Sequence, residues 1–475
     1  MENKSGFKSI SYSRRCLVLC VMSSAAILAP GCYNYPAIPD AVNQSSYSEL
    51  KKEQEKLLPA DCRSLTLELS QQISLANNPN YLSAAHAVNA AWYTFYSSLG
   101  PYFPTVNGVY SFSDAQFNPA PTAEQNVPSY TMGGGLQAQW LLFNGLVREM
   151  NMLVAKHQAR QQEALDRDAR RLLMQSVANA YNNILLAREN ISIAEANAEF
   201  NEKLFNETDL KYKVGEVSLS DPLNFKVRYN QALNQLIISR YSYQTSKYVL
   251  AALLGLTESD IPSNVEFPPM TPKNIQYNSD INVYLDTALA NRPDLAAFRE
   301  SLIAADYTVW ASWGVFFPTI TADLNYGYLR TNYNSHRRTQ WNARGQDRNF
   351  NYGVSATWPL FTGGQNWFNL KTSQALLAQS QLSVVLKWIQ VVEEVRQAHD
   401  NYRQATEQVT LFEETLGLVQ KTRDLAEEQY KAGNVNLDFL NQAQTDLVQA
   451  EADLASSRVN LENAKAQMEA SIGSD

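Results

Sequence analysis

The chain has 475 residues and a net charge of −8, which excludes a general nucleic-acid binder with a basic footprint. Hydrophobic residues make up 45% of the chain and charged residues 18%, so the composition is neither disordered nor collagen-like. No uninterrupted apolar run reaches roughly 18 residues, which argues against an ordinary membrane-spanning helix. A membrane protein built from β-strands is compatible with this composition, because each such strand gives a weaker sequence signal than a membrane-spanning helix.

Residues 1–31 have the organisation of an export signal peptide. Basic residues precede a largely apolar run, Cys16 to Pro30, that ends in small residues. The following Gly31-Cys32 resembles the cleavage site of bacterial lipoproteins, so we expect lipidation at Cys32. The alternative is ordinary cleavage nearby, with a disulfide between Cys32 and Cys62. Residues 32–64 are predicted to form an extended N-terminal arm.

The rest of the chain consists of two sequence repeats of one unit. Four segments recur in order, first at an offset of 214 residues and then of 218, so the second copy has gained four residues. This divides the chain into a first repeat, 65–260, a linker, 261–278, and a second repeat, 279–475. The paired segments are Ala76–Asn80 with Ala290–Asp294, Gly100–Thr105 with Gly314–Thr319, Trp140–Gly145 with Trp358–Gly363, and Tyr212–Gly215 with Tyr430–Gly433.

Each repeat has the same predicted order of elements. A helix leads to two strands that are separated by a polar loop, and then come a very long helix, a glycine turn and a last helix. At 1.5 Å per residue the long helix spans about 100 Å, so the two shorter helices can lie end to end beside it. The predicted helices cover 79–99, 145–211 and 222–255 in the first repeat, and 293–313, 364–430 and 440–473 in the second.

The predicted strands alternate apolar and polar residues. A period of two over about ten residues, with aromatic ends, is typical of an outer-membrane strand, and the alternative is a sheet in a soluble sandwich. Four strands cannot close a barrel and open edges are not tolerated in lipid, so several chains must contribute strands. The alternation is clearest in 136–140, 320–328 and 350–360, and the strand from 105 is less regular.

Small apolar residues follow heptad spacing along the predicted helices. A seam of this period indicates coiled-coil packing, either in a wall of long helices or in an isolated antiparallel rod. The seam residues of the first long helix are Leu173, Val177, Ala180, Ile184, Ala187, Ile191, Ala194 and Ala198. The last helix steps through Leu440, Ala443, Leu447, Ala450, Leu454, Ser457, Leu461, Ala464 and Met468.

With these segments the chain resembles the TolC-like outer membrane efflux protein family over nearly everything after residue 64. The motifs are Ala290–Leu295, Phe317-Pro318, Trp358–Gly364 and the Tyr-x-x-Gly turns at 212–215 and 430–433. The resemblance implies an α+β membrane protein, a homotrimer whose twelve-stranded transmembrane β-barrel continues into a long periplasmic α-helical coiled-coil barrel. It also implies a passive exit duct of the outer membrane, with a periplasmic adaptor protein and an inner-membrane transporter as partners.

The resemblance places candidate gate residues at the periplasmic tip, around the turn glycines Gly215 and Gly433. Asp221 stands where the first turn of the family usually carries an Asp, and Tyr430 matches a Tyr that bonds to it when the tip is closed. Another interpretation is that Asp221 caps the following helix, with Pro222 at its first position. Both can hold together.

The second turn departs from the family pattern. Asp438 follows Gly433 by five residues, and Phe439 stands where the acidic residue is expected. Val435 replaces an Arg that is sometimes found there. Three copies of Asp438 around a three-fold axis would still concentrate negative charge.

The loop between the strands of the second repeat is basic. On the outer surface it can pair with lipopolysaccharide phosphates, or it can be a solvated loop with no ligand. Its basic residues are Arg330, His336, Arg337, Arg338, Arg344 and Arg348.

An enzyme is not expected. The four His residues are scattered, no metal, nucleophile or phosphate-loop motif is present, and Gly133–Gly135 does not open a helix. We therefore predict no catalytic residue, no metal site and no cofactor. The competing functions are a structural periplasmic coiled-coil lipoprotein without a pore and a general porin, and porins lack the long helices. The four His residues are His86, His157, His336 and His399.

Overall fold

The architecture is that of a computed structural model, which describes residues 63–117, 127–257, 259–268, 280–333 and 344–473. Over these ranges one order of elements occurs twice: two short helices, two strands, a long helix and a final helix. The first half contains α1 Leu67–Asn77, α2 Pro79–Ser98, β1 Thr105–Phe117, β2 Val127–Asn144, α3 Val147–Lys213 and α4 Ser220–Leu253. The second half contains α5 Ile281–Asn291, α6 Pro293–Gly314, β3 Thr319–Tyr333, β4 Arg344–Thr357, α7 Gln365–Lys431 and α8 Leu437–Ile472.

One helix is predicted before the strands of each half, whereas the structure has two. The break falls at Asn78 and at Arg292, whose backbones are extended, with ψ angles of 118° and 121°. Each residue precedes a proline, which disfavours the helical conformation at the position before it. The additional helices α1 and α5 begin at N-cap residues, Thr66 and Asp280, whose side chains accept backbone N–H groups of the first turn.

The long helices α3 and α7 contain 67 residues each and begin within two residues of their predicted starts. Each begins after two residues of the left-handed conformation: φ is 70° and 68° at Gly145 and Leu146, and 62° and 85° at Gly363 and Gly364. Glycine adopts this conformation freely, whereas Leu146 costs roughly 1–2 kcal/mol. The two strand-to-helix junctions therefore share one shape, and only the first carries strain.

The short helices lie end to end beside each long helix, as the length arithmetic predicts. Helices α2 and α4 both pack on α3, and α6 and α8 both pack on α7. A glycine with positive φ lies where the short helices of each half meet end to end. Gly255 follows α4, and Gly473 follows α8. A Cβ atom on Gly255 would lie 2.4 Å from the Asn77 carbonyl oxygen, so no larger residue fits there.

Polar side chains join the two short helices differently in the two halves. In the first half Asn78 donates from Nδ2 to the Leu253 carbonyl at 2.9 Å. In the second half Arg292 occupies the matching position and donates to the Ser471 carbonyl at 3.4 Å. A neutral amide thus makes in one half the contact that a guanidinium makes in the other.

The guanidinium of Arg292 belongs to a buried charge cluster. It is 2% exposed and pairs at 2.6 Å with Asp294, which is 4% exposed and also accepts Lys387 at 2.8 Å. Glu394 contacts Arg292 at 2.5 Å from the other side. Burial alone would raise the pKa of Asp294, but the hydrogen bonds and charges of Arg292 and Lys387 outweigh it and hold this pKa below its ordinary value.

The predicted heptad seams form the core between the helices. Val177 and Ile184 on α3 and Leu440 on α8 are fully buried, whereas Leu173 and Ile191 are half-buried. Leu447, Leu454 and Met468 on α8 are buried as well, and small residues at other seam positions let the helix backbones approach closely. The buried small residues of the two seams are Ala180, Ala187, Ala194, Ala198, Ala443, Ala450, Ser457 and Ala464.

The segments that flank the first half are packed against it. The backbones of Arg63 and Leu65 pair with Glu266 through two hydrogen bonds of 2.9 Å. The Tyr181 hydroxyl on α3 donates to the Pro268 carbonyl at 2.7 Å. The described parts of the predicted arm and linker therefore pair with each other, and the linker also contacts α3.

The four strands form one antiparallel sheet in the order β1-β2-β3-β4. Neighbouring strands pair in register, with a bulge in β2 between Leu141 and Phe143. Because directly opposed residues share a face, most apolar residues of the four strands line one face and most polar residues line the other. The exceptions include Asp114 on the apolar face and Val109 and Leu329 on the polar face. The predicted alternation is confirmed in its pattern. The apolar face includes Val106, Tyr110, Leu136, Ala138, Trp140, Ile320, Leu324, Tyr326, Tyr328, Phe350, Tyr352 and Val354.

The last predicted strand, 350–360, is wrong at its end. β4 stops at Thr357, and the Leu360 N–H bonds back to the Trp358 carbonyl at 3.0 Å. Pro359 has no N–H for a ladder and ends the pairing. Trp358 instead donates its indole N–H to the Phe316 carbonyl at 3.0 Å, as Trp140 does to Tyr102.

One helix among the described residues, Gln365–Lys431, is long and apolar enough to cross a membrane by length and composition alone. Its most apolar window has a mean hydropathy of 1.3, and 6% of that window is buried. Isolated polar residues interrupt the window, so a search for uninterrupted apolar runs does not find it. Exposed apolar residues in the N-terminal half of α7 include Leu376, Leu382, Val385, Leu386, Trp388 and Ile389.

Candidate functional site

The two glycine turns have the same backbone geometry. Gly215 and Gly433 have φ angles of 82° and 73°, and the residue after each donates its N–H five positions back, at 2.9 Å to Lys211 and to Gln429. This is the Schellman closure of a helix, which favours glycine at the left-handed position. A Cβ atom on either glycine would meet nothing within 4 Å, so the conformation and not the available space requires glycine here.

Helices α3 and α4 form one helical hairpin, and α7 and α8 form another. The structure brings the turn ends of both hairpins together in a hydrophobic cluster, which we call the tip cluster. Its buried members come from α3, α4, α7 and α8, and Tyr430 and Leu437 pack against it. The Phe225 ring meets the Tyr430 ring edge-on, with centroids 6.4 Å apart. A movement of one hairpin is therefore coupled to the other. The buried members are Leu204, Phe225, Ala426, Leu440 and Ala443.

Tyr430 packs against this cluster and carries a hydroxyl group. Burial raises its pKa, the nearby Asp221 carboxylate raises it further, and a hydrogen bond with the Thr208 side chain lowers it. Thr208 is itself buried and donates to the Leu204 carbonyl at 2.7 Å. The structure thus places Tyr430 beside Asp221, but its hydroxyl bonds to Thr208.

Asp221 is not a helix cap. Helix α4 begins at Ser220, its N-cap is Leu219, and no side chain caps it, so Asp221 lies within the first turn and Pro222 after it. A carboxylate in the first turn still interacts favourably with the positive end of the helix dipole. Its oxygen accepts the Ser220 hydroxyl at 3.0 Å.

Asp438 also lies in a first turn, that of α8, and its side chain is exposed. The N-cap of α8 is Asn436, which accepts the Phe439 N–H at 3.0 Å. Asp438 is thus free of a capping role and stands at the surface of the tip.

Thr208 and Phe225 are site residues that the sequence did not single out. Both lie on regular helical seams, where a heptad pattern distinguishes core from surface but not one core position from another. Of the other candidates, Cys32, Cys62, His336, Arg337 and Arg338 lie outside the described residues. The prediction that Arg330, Arg344 and Arg348 belong to the loop between the strands is wrong, because Arg330 lies in β3 and the other two lie in β4.

Comparison with known proteins gives one family. The family described as outer membrane efflux protein matches residues 71–256 and 284–474. Outer membrane efflux protein BepC of Brucella suis is 26% identical over 350 residues, 73% of this chain and 72% of its own length. Outer membrane protein TolC of Vibrio cholerae is 23% identical over 327 residues, 68% of this chain and 72% of its own length.

The fold is also that of solved structures. The Campylobacter jejuni CmeC outer membrane channel superimposes with a TM-score of 0.74 at 17% identity, covering 86% of this chain and 85% of that one. The chain thus has the fold of an outer membrane channel of known structure. Because the two family matches cover most of the sequence, the chain belongs to the outer membrane efflux protein family. It is an exit duct of the outer membrane, and members of this family are channels and not enzymes.

Proposed function

We propose that this chain assembles as a homotrimer and forms the outer-membrane exit duct of a tripartite efflux or secretion system. The observation that carries the proposal is the continuity of a two-faced sheet with helices of 67 residues. The duct is a passive conduit: an inner-membrane transporter supplies the energy, and a periplasmic adaptor protein connects the two.

The sheet supports a barrel shared between chains. One face is apolar and the other polar, as required of strands that separate lipid from water. β1 and β4 are its two edges, and unpaired edges are not tolerated in lipid. Three chains supply twelve strands, so that every edge is paired and the barrel encloses a water-filled lumen.

The contact between the two halves supports the same assembly. A Cβ atom on Gly314, at the end of α6, would lie 2.4 Å from the Gly145 carbonyl at the start of α3. Gly100 and Gly363 are the matching residues of the opposite halves, and a Cβ atom on either meets nothing within 4 Å. In a ring of alternating halves, Gly363 of one protomer meets Gly100 of the next.

The long helices show the same difference between a position covered within the chain and a matching position that is exposed. Ala164 on α3 is 1% exposed, whereas Leu382, its counterpart on α7, is 70% exposed. Helix α6 of the second half packs on α3, and α2 of a neighbouring protomer would pack in the same way on α7. The exposed apolar surface of α7 is thus accounted for by a second copy of the chain, without a membrane helix.

The tip is proposed to act as the gate. Tyr430 and Thr208 join the two hairpins of one protomer, with Asp221 nearby, and three copies of Asp438 would lie around the axis of the trimer. Tyr430 bonded to Thr208 keeps the hairpins packed, and separation of the hairpins would expose the tip cluster. Gly215 and Gly433 allow the chain to reverse at the constriction.

Residues 1–31 are proposed to be removed on export, with a lipid attached to Cys32 as an additional anchor. The arm 32–64 would connect that anchor to the two repeats, 65–260 and 279–475, through residues 63–65. Mass spectrometry of the purified protein tests this part, since an acylated N-terminal Cys32 has a defined mass.

Crosslinking tests the assembly. His157 on α3 contacts Glu300 on α6 at 2.6 Å within one chain, and the matching positions between protomers are Ala375 and His86. We expect H86C/A375C, treated with a short bismaleimide, to migrate as a trimer in denaturing gels. H157C/E300C should react within one chain and keep the monomer mass, and each single variant is a further control. An internal crosslink in H157C/E300C with none between chains in H86C/A375C would contradict the ring.

Planar bilayers test the pore. The proposed duct should give defined single-channel conductance from purified trimers, and the variant D221A/D438A should shift its cation preference. Folded trimers without conductance would favour the alternative, a structural periplasmic coiled-coil lipoprotein. In cells, crosslinking followed by purification should recover an adaptor and an inner-membrane transporter.

A further inference from the structure

Two arginines lie at the far end of the apolar face of the sheet. β3 ends its apolar series with Tyr326 and Tyr328, and Arg330 follows at the next position of the same face. On β4 the position opposite Tyr328 is Arg348. Directly opposed residues share a face, so Arg330 and Arg348 lie on the side that carries the aromatic and aliphatic residues.

The two positions are close enough to act together. Arg330 pairs with Gln346, and Arg348 is two residues further along β4, so the arginines are diagonal neighbours. Such positions are about 7–8 Å apart, which long side chains bridge easily. Two guanidinium groups can therefore converge on one anionic group.

The height of the arginines along the sheet fits the boundary of a membrane. From Arg348 to Trp358 the chain advances ten residues, and the intervening residues of this face are Phe350, Tyr352, Val354 and Ala356. Ten residues of strand span about 34 Å, or about 26 Å in height at a barrel tilt of roughly 40°. An outer-membrane barrel has an apolar band of about 25 Å, so Arg348 and Trp358 lie at its opposite edges.

The electrostatics of these arginines call for an external anion. Among the residues that the structure describes, no carboxylate lies within ion-pair distance of Arg330 or Arg348. Asp323 and Asp347 occupy the opposite, polar face of the sheet, and Asp114, which shares the face of the arginines, lies on β1, two strands away from Arg330. A lipid-facing arginine costs little at the membrane boundary but still needs an acceptor, and a phosphate accepts its paired N–H groups well.

We propose that Arg330 and Arg348 form a binding site for the phosphate groups of an outer-leaflet lipid headgroup, with Tyr328 and Phe350 against its acyl chains. This inference rests on the proposed function, because it requires the sheet to span the outer membrane with the helices on the periplasmic side. It assigns a ligand class to these two arginines only.

Lipid binding to the purified full-length trimer tests the site. The probes are lipid A with two phosphates, the same lipid A with its phosphates removed, and inorganic phosphate, with bound lipid measured by native mass spectrometry. The test variant is R330Q/R348Q. The matched control is R240Q/R458Q, which removes the same charge from exposed helical positions.

We expect R330Q/R348Q to bind bisphosphorylated lipid A at least roughly tenfold more weakly than the wild type and the control, because two charge-assisted contacts are lost. Dephosphorylated lipid A should bind all three proteins alike, and inorganic phosphate should not compete. Equal binding of bisphosphorylated lipid A by all three would overturn the site, and competition by inorganic phosphate would overturn the lipid assignment. Bilayer conductance of the same samples separates the two proposals: conducting trimers with no difference in lipid binding refute the site alone, whereas non-conducting wild-type trimers refute the duct.

Discussion

The N-terminal parts of the long helices α3 and α7 occupy matching positions in the two halves but differ in their content of charged residues. Residues 160–171 of α3 contain seven charged residues, whereas residues 378–389 of α7 contain one, Lys387. In this part of α3, Arg171 pairs with Asp168 at 2.7 Å and donates to the Ala470 carbonyl at 2.7 Å. In the matching part of α7, Lys387 pairs with Asp294 at 2.8 Å, whereas Leu382, Val385 and Leu386 are exposed. A duplicated sequence can thus keep one backbone while one copy buries this part of its long helix and the other leaves it apolar and exposed.

The largest expected effect concerns the charge cluster that only the second half has. R292A leaves the buried Asp294 without its main partner and should lower the free energy of unfolding by about 4 kcal/mol. N78A, the matching change in the first half, removes only neutral hydrogen bonds and should cost about 1 kcal/mol. Urea unfolding in detergent measures both. Equal losses would mean that the two junctions are energetically equivalent.

The same cluster predicts a pH dependence. Because the pKa of Asp294 is lowered in the folded protein, its contribution to stability is complete above its ordinary value of 3.8 and is lost as the pH falls below it. D294N should therefore be destabilised relative to the wild type by a constant amount at neutral pH, and the difference should shrink in acid. A difference that grows in acid would have the wrong sign for this mechanism.

The close approach of Gly314 to Gly145 within the chain can be compared with the matching glycines Gly100 and Gly363, which have open space around them. G314A places a Cβ atom against the Gly145 carbonyl and should destabilise the protomer by roughly 2–3 kcal/mol. G100A has open space around it in the protomer, so its secondary structure should be unchanged. Its trimer should nevertheless dissociate at a lower temperature if Gly100 faces a neighbouring chain. Circular dichroism follows the first variant and semi-denaturing gels follow the second.

Tyr430 and Tyr212 hold matching places in the two turns, but only Tyr430 joins the tip cluster. Y430F removes the hydrogen bond with Thr208 and should cost about 1 kcal/mol, together with more frequent openings in bilayer recordings. Y212F removes no contact of the tip cluster and should behave as the wild type in both measurements. Closed-state recordings identical for Y430F and the wild type would remove Tyr430 from the gate.

The smallest effect is expected where the two halves are alike. Arg240 pairs with Glu195 and Arg458 with Glu413, each at 2.9 Å and each exposed. R240Q and R458Q should each cost no more than about 0.5 kcal/mol, since exposed ion pairs contribute little. A larger loss for one of them in thermal unfolding would reveal a difference between the halves at these matching positions.

Local signals explain what the sequence predicts well. The long helices are bounded by glycines at positions where a left-handed backbone is needed, so their limits are accurate at Gly145, Gly215, Gly363 and Gly433. Heptad spacing identifies the buried seams because it depends only on the period of the helix. Strand faces follow from alternation for the same reason.

Long-range contacts explain the remainder. The additional helices α1 and α5 carry weak patterns of their own and are fixed by caps and by Pro79 and Pro293. The tip cluster depends on which of four seams meet, and that depends on how two hairpins pack. The opposite environments of Ala164 and Leu382 follow from the position of α6, which no local pattern encodes.

The open sheet edges have a consequence for how the protein must be made. β1 and β4 present edges of 13 and 14 residues beside an apolar face. A chain that folds before it meets its partners would offer both edges to any other strand, which is the usual route to aggregation. Under the proposed assembly, productive synthesis therefore depends on timing, because the strands must stay unpaired or bound by a chaperone until the membrane and the other protomers are present.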